Sequence, residues 1–268
     1  MKRFFALATF ACTSALAAVV SAPQLLIPAA GSTPGANGTF FRSDITLGNF
    51  ADHDQIVRLQ WLPQGVTSTF STTIMLRARS GLRSADFVKE QLGRSGLGAI
   101  VVTGVTSTGD LDPTAALYAS SRIWSPQAAT GGTTSQSLPA IPTSAINTPD
   151  AAIFSLGGQN GSYRANIGFV NLDPNNEQTL SIIFPLSPLP FAFPVTVPPM
   201  SVQQVGLGSS GFFGLEFLIV NSTAAATRSN SWIAYGSTID NITGDAWSEL
   251  AVPGAPDINP PGGPIGKH

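Results

Sequence analysis

Proton-transfer chemistry at neutral pH needs a histidine in most serine-dependent hydrolases, and this chain has two, His53 and His268. His268 ends a stretch dominated by Pro and Gly. His53 stands between Asp52 and Asp54 in a polar turn and reads as a solvated residue. The sharper reading, a weak metal site formed by Asp52, His53 and Asp54, has no further His or Cys to complete a zinc sphere. Glycoside hydrolysis needs two carboxylates flanking a bond. The chain has fifteen carboxylates, and no spacing among them singles out a pair. Asp110 with Asp112, and Asp240 with Asp245, sit in loops where oxygen ligands for calcium could gather. No twelve-residue calcium loop accompanies them, and turn residues bonding their own backbone explain them as well. No catalytic residue, cofactor site or metal site is therefore assigned.

Aromatic side chains offer more. Sugar rings stack on exposed aromatic faces, and Trp124, Tyr235 and Trp247 are the candidates for ligand contact. Trp61 and Trp232 belong to the same set of strand aromatics, for which core packing is the competing explanation. Trp247, beside the Gly244-Asp245 turn, is expected to be exposed. Residues 184–193 hold three Phe among prolines and read as a partner-binding edge or as a long hairpin tip folded onto its own sheet. Four N-x-Ser/Thr sequences, at Asn37, Asn160, Asn221 and Asn241, mark turns.

The elements that must carry these residues are organised around one stretch and its second version, FFRSDITLGN at 40–49 and SYRANIGFVN at 162–171. Side chains alternate faces along a strand. One face carries Phe41, Ser43, Ile45, Leu47 and Asn49 in the first version, and Tyr163, Ala165, Ile167, Phe169 and Asn171 in the second. The other face carries Arg42 and Asp44, then Arg164 and Asn166. Each Asn is expected to cap the turn that follows it. Each Arg is expected to pair with a carboxylate on a neighbouring strand or to shield an edge. A strand at 56–62 follows the first stretch, and one at 178–184 the second, each expected to form a hairpin with its predecessor. Further strands are predicted at 22–28, 72–78, 97–103 and 116–124, and in the second half at 195–197, 211–220 and 232–240. Residues 84–92 (SADFVKEQL) carry the one helical signal, with Phe87, Val88 and Leu92 on a single face. About seven short strands per copy fit a β-sandwich.

On these two stretches, residues 28–253 resemble the tandem immunoglobulin-like sandwich repeats of bacterial secreted and cell-surface proteins. The Cys-Trp-Cys framework of antibody domains is absent. The resemblance implies an all-β fold of two antiparallel sandwich domains, 23–146 with one short helix and 150–253. Such modules serve as spacers, adhesins or carbohydrate-binding units, and a shared fold does not decide among these roles.

Composition bounds the same picture. Charged residues make up 10% of the chain and apolar ones 43%, with 27 Gly and 21 Pro, which suits turn-rich all-β structure and not disorder. Lys2 and Arg3, an apolar run and Ala15-Leu16-Ala17 form a secretory leader over residues 1–17. Its Cys12 is the one cysteine, so the remaining chain has no disulfide and no thiolate site. An exported, cysteine-free chain of this kind reads as bacterial, secreted or surface-located, and periplasmic if retained in a Gram-negative cell. Residues 40–125 carry eight basic and seven acidic groups, residues 150–257 two and eight, or +1 against −6. No basic stripe suggests nucleic acid. Prolines interrupt the apolar run at 182–197, which excludes a spanning helix there. Residues 254–268 are expected to be a disordered tail. The expected role is structural or adhesive and non-enzymatic, with a surface polysaccharide or a cell-surface protein as partner. A carbohydrate-binding module is the alternative, and a hydrolase a third reading.

Overall fold

A computed structural model describes residues 21–35, 38–127, 131–148, 150–156, 163–183, 192–207 and 215–253. The leader, the tail, most of the 184–193 stretch, and Asn37 and Asn160 lie outside these residues. The chain is all-β. In the first half the strands are β1 (Gln24–Pro34), β2 (Phe40–Asn49), β3 (Gln55–Pro63), β4 (Phe70–Leu76), β5 (Gly81–Ser84), β6 (Gly96–Val105), β7 (Leu117–Pro126), β8 (Thr133–Pro139) and β9 (Ile141–Pro142). One helical turn, α1 (Phe87–Glu90), lies between β5 and β6, and a 3-10 turn (Thr143–Ala145) follows β9. The second half comprises β10 (Ala151–Leu156), β11 (Tyr163–Asn171), β12 (Gln178–Ile183), β13 (Ala192–Val197), β14 (Ser201–Gly206), β15 (Leu215–Asn221), β16 (Trp232–Asp240), β17 (Ala246–Leu250) and β18 (Val252–Pro253).

The pairing order of the second half follows that of the first. One sheet runs β13-β12-β15-β10-β18 and the other β14-β11-β16-β17; the first half contains β4-β3-β6-β1 with β9 beside β1, and β5 beside β2 followed by β7 and β8. The difference is a short ladder between β1 and β2, Ser32↔Arg42 to Pro34↔Phe40, which joins the first half into one nine-stranded sheet. All named ladders are antiparallel. Relative to the ABED/CFG order of an immunoglobulin sandwich, the inner pairs β2–β5 and β3–β6 are retained. The outer places are exchanged, with β1 beside β6 and β7 beside β2.

Neither expected hairpin forms. β2 pairs with β1, β5 and β7, whereas β3 pairs with β4 and β6. β11 and β12 likewise lie in different sheets. The physical reason is the asparagine ending each leading strand, fully buried in both places. The Asn49 amide donates to the carbonyls of His53 (2.8 Å), Leu76 (3.4 Å) and Arg77 (3.2 Å), and its oxygen accepts the Ala51 N–H (3.0 Å). Asn171 does the same with Asn176 (2.9 Å), Val197 (3.1 Å) and Pro198 (3.1 Å), accepting from Asp173 (2.9 Å). Each asparagine caps its turn as expected. It also binds the far end of β4 or β13, so the chain arches away from the leading strand, to the other sheet in the second half and to the far side of the same nine-stranded sheet in the first.

Apolar periodicity explains three cores. Leu25, Ile27, Ile45, Leu47, Leu59 and Val102 fill the first half. Ile167, Phe169, Leu180, Ile182, Ile219 and Trp232 fill the second. A third core joins the halves: Leu26, Ala29, Leu62, Ala99 and Val101 meet Val170, Val202, Ile233 and Tyr235. β1 and β6 are thus covered on both faces, which accounts for their near-continuous apolar runs. The Gly65 and Ser68 N–H groups donate to the carbonyls of Val202 (2.9 Å) and Met200 (3.1 Å) beside this core. The helical signal shortens to one turn because β5 claims Ser84; Phe87, Val88 and Leu92 are buried as the spacing predicts.

Two outcomes follow. Asn49→Ala and Asn171→Ala should each cost about 2–3 kcal/mol, since buried carbonyls lose their donor. The Asp variants should be no better, lacking an N–H; urea midpoints check this, and losses below about 0.5 kcal/mol would refute the arch. Calorimetry should show a single transition for the intact chain. Val202→Asp, placing an unpaired charge in the shared core, should split it into two.

Candidate ligand cleft between the halves

The three candidate aromatics are not brought together. Tyr235 lies in the core between the halves at 2% exposure, so it has no face for a sugar. Its ring covers Gly168, its cross-strand partner, where a Cβ would stand 2.0 Å from Cζ. The sequence signal was present: Trp232 and Ala234 enter one core, Ile233 and Tyr235 the other, so the strand is apolar on both faces. Trp124 is half-buried on β7. The Arg42 guanidinium lies 5.4 Å from its ring and 4.7 Å from that of Phe40, and its indole N–H donates to the Ala85 carbonyl (2.9 Å). Trp247, expected exposed, is half-buried, edge-on to Tyr163 at 6.0 Å. Trp61 and Trp232 are core residues.

The acidic loops are held by their own turns. Asp112 accepts from the Thr114 hydroxyl (2.6 Å) and N–H (2.9 Å). Asp240 accepts from the Ile242 N–H (2.7 Å) and the Thr243 hydroxyl (2.8 Å), which hold its carboxyl below the usual carboxylate range. His53 is exposed, 3.4 Å from Asp52. Among the described residues, no three of His, Cys, Asp and Glu gather where a metal could sit.

A cleft not foreseen from sequence opens where β8 meets the β16–β17 turn. Two adjoining cavities, of about 590 Å³ and about 440 Å³, share Phe41, Ile123, Gln136, Arg164 and Ile239 as walls. Each falls in the size range of small-molecule sites, about 300–1,000 Å³. The Gln127 amide donates to the Thr243 carbonyl (2.6 Å), the Ser237 hydroxyl to Gln136 Oε1 (2.7 Å), and the Ser248 hydroxyl to the Ser137 carbonyl (2.7 Å). These bonds cross between the halves and fix the walls. Asp240 is the one carboxylate among the residues lining the larger cavity.

Arginine partnering separates Arg164 from Arg42, Arg83 and Arg228, the arginines with ion pairs among the described residues. Arg83 grips Asp44 through two bonds (2.6 and 2.9 Å) and thereby lowers that carboxyl. Arg42 meets Asp86 at 3.5 Å, and Arg228 meets Asp150 at 2.9 Å. Arg164, half-buried, donates instead to the Asn241 side-chain oxygen. Arg42 has a carboxylate partner, though in the turn before α1 and not on a neighbouring strand as expected, and Arg164 has no ion pair among the described residues. A hint lay in composition: residues 150–257 carry two basic groups.

No known protein family and no curated protein matches the chain.

Burial pushes the Tyr235 phenol far above its ordinary value of 10.0. Its contribution to stability is therefore full below that pH and falls as pH rises above it. Urea midpoints measured across alkaline pH should fall less steeply for Tyr235→Phe than for the unaltered chain; parallel curves would contradict this burial.

Proposed function

We propose that this is an exported, non-enzymatic protein made of two copies of one β-sandwich unit, immunoglobulin-like in its inner strand pairs. Its role is structural or adhesive, outside the cell or at its surface. The observation that carries the reading is the core shared between the halves, Leu26, Leu62, Val101, Val202 and Tyr235 among its members. Modules meant to move against each other meet through smaller, more polar contacts; a shared apolar core suits a stiff body that holds or spaces. The common pairing order and the matching arches at Asn49 and Asn171 support descent of both halves from one unit. Among the described residues, no helix is long and apolar enough to cross a membrane.

A second reading, glycan binding, is favoured by the cleft around Arg164, whose apolar walls and convergent amides suit a sugar.

The deciding experiment presents the chain from Ala18 onward to intact cells of its source and to a panel of polysaccharides. Retention on cells without release of reducing ends is the expected outcome. Turnover of any polysaccharide would overturn the non-enzymatic reading. Retention on a purified glycan as strong as that on cells would replace the adhesive role with glycan binding.

A further inference from the structure

We propose that the cleft between the halves receives one acidic sugar residue, a uronic acid within a polysaccharide, with its carboxylate on Arg164 and its ring against Phe41, Ile123 and Ile239. The inference rests on the glycan-binding reading and specifies its ligand.

Arg164 stands on β11 and lines both cavities. A guanidinium has five N–H donors in a planar fork. Asn241 takes one, and no carboxylate in the described residues takes the others. The bond to Asn241 orients the group without neutralising it. A half-buried cation of this kind matches a planar carboxylate in two-point contact.

The neighbourhood argues against a doubly charged phosphate. Asp240 lines the same cleft as a carboxylate, and residues 150–257 carry a charge of −6. One negative charge placed on Arg164 is balanced, whereas two would meet that surrounding field. The remaining surface is what a sugar ring needs. Phe41, Ile123 and Ile239 offer apolar contact to ring C–H groups. The Gln136 oxygen is occupied by Ser237 (2.7 Å), which turns its amide N–H₂ into the group available to ligand hydroxyls. A free amino acid would satisfy Arg164 but is small beside the two adjoining cavities, and would leave much of their apolar and amide lining uncovered.

The net charge of the chain, −2, makes the test sharp, because a negative protein gains nothing from a polyanion by bulk attraction. Calorimetric titration would use oligomers of galacturonate, of mannuronate and of a glucuronate-containing glycan, each as free acid and as methyl ester. At least one free acid should bind, with its ester at least about tenfold weaker. Arg164→Gln should bind the acid no better than the ester at unchanged melting temperature. Arg164→Lys should fall between, keeping the charge and losing the fork. Equal binding of acid and ester, or full binding by Arg164→Gln, would overturn the acidic-sugar inference while leaving glycan binding intact. Binding of acetate as tight as that of the oligomers would reduce the site to a carboxylate trap and overturn it as well. Failure of these oligomers together with every neutral polysaccharide would remove both readings.

Discussion

Two buried amides set the course of this chain. Asn49 and Asn171 each end a central strand, and each donates to carbonyls at the end of a strand that does not pair with its own, β4 or β13. Without that donor, the polar turns at 50–54 and 172–177 would lead back along the same sheet, as a hairpin does. With it, the chain crosses the core. The pairings of β3 with β4 and β6, and of β12 with β13 and β15, follow from this crossing. A charged side chain could not replace the amide, because the site demands one group that donates to several carbonyls and accepts from a turn N–H at once.

The second organising fact is that the outer faces are not all outer. β1 and β6 send Leu25, Ile27 and Val102 into the first core and Leu26, Ala29 and Val101 into the shared one. The sheet β14-β11-β16-β17 of the second half does likewise with Phe169 and Val170, or Trp232 and Ile233. Three apolar layers alternate with four layers of strand. The cleft follows from this packing. Beside the shared core, towards the β16–β17 turn, hydrogen bonds from Gln127, Ser237 and Ser248 cross between the halves in place of apolar contact.

Much of the fold was legible because strand burial writes itself as period two. FFRSDITLGN and SYRANIGFVN, the Asn caps, the apolar β6 and the Phe87–Val88–Leu92 face were all readable from side-chain order. Which sheet a strand joins was not, because adjacency in sequence favours a hairpin unless a long-range bond forbids it, and Asn49 reaches partners 27 and 28 residues away. The aromatics misled for a related reason. Tyr235 looks like a binding residue until the opposite half is laid over it, and no local pattern announces that covering. Arg164 was hidden by distance too: its partner Asn241 lies 77 residues on, and the far wall of its cleft comes from the other half.

The placement of β1 has a kinetic consequence. It precedes its partners in the chain: a short ladder with β2 lies close by, but its long ladder is with β6, seventy-odd residues later, another short one is with β9, and its outer face waits for β14 and β16. Contacts this distant in sequence form slowly, since a large loop must close before any of them is made. Beyond its short ladder with β2, the strand therefore waits for β6 before most of its backbone is paired. The delay in completing this sheet is built into strand order.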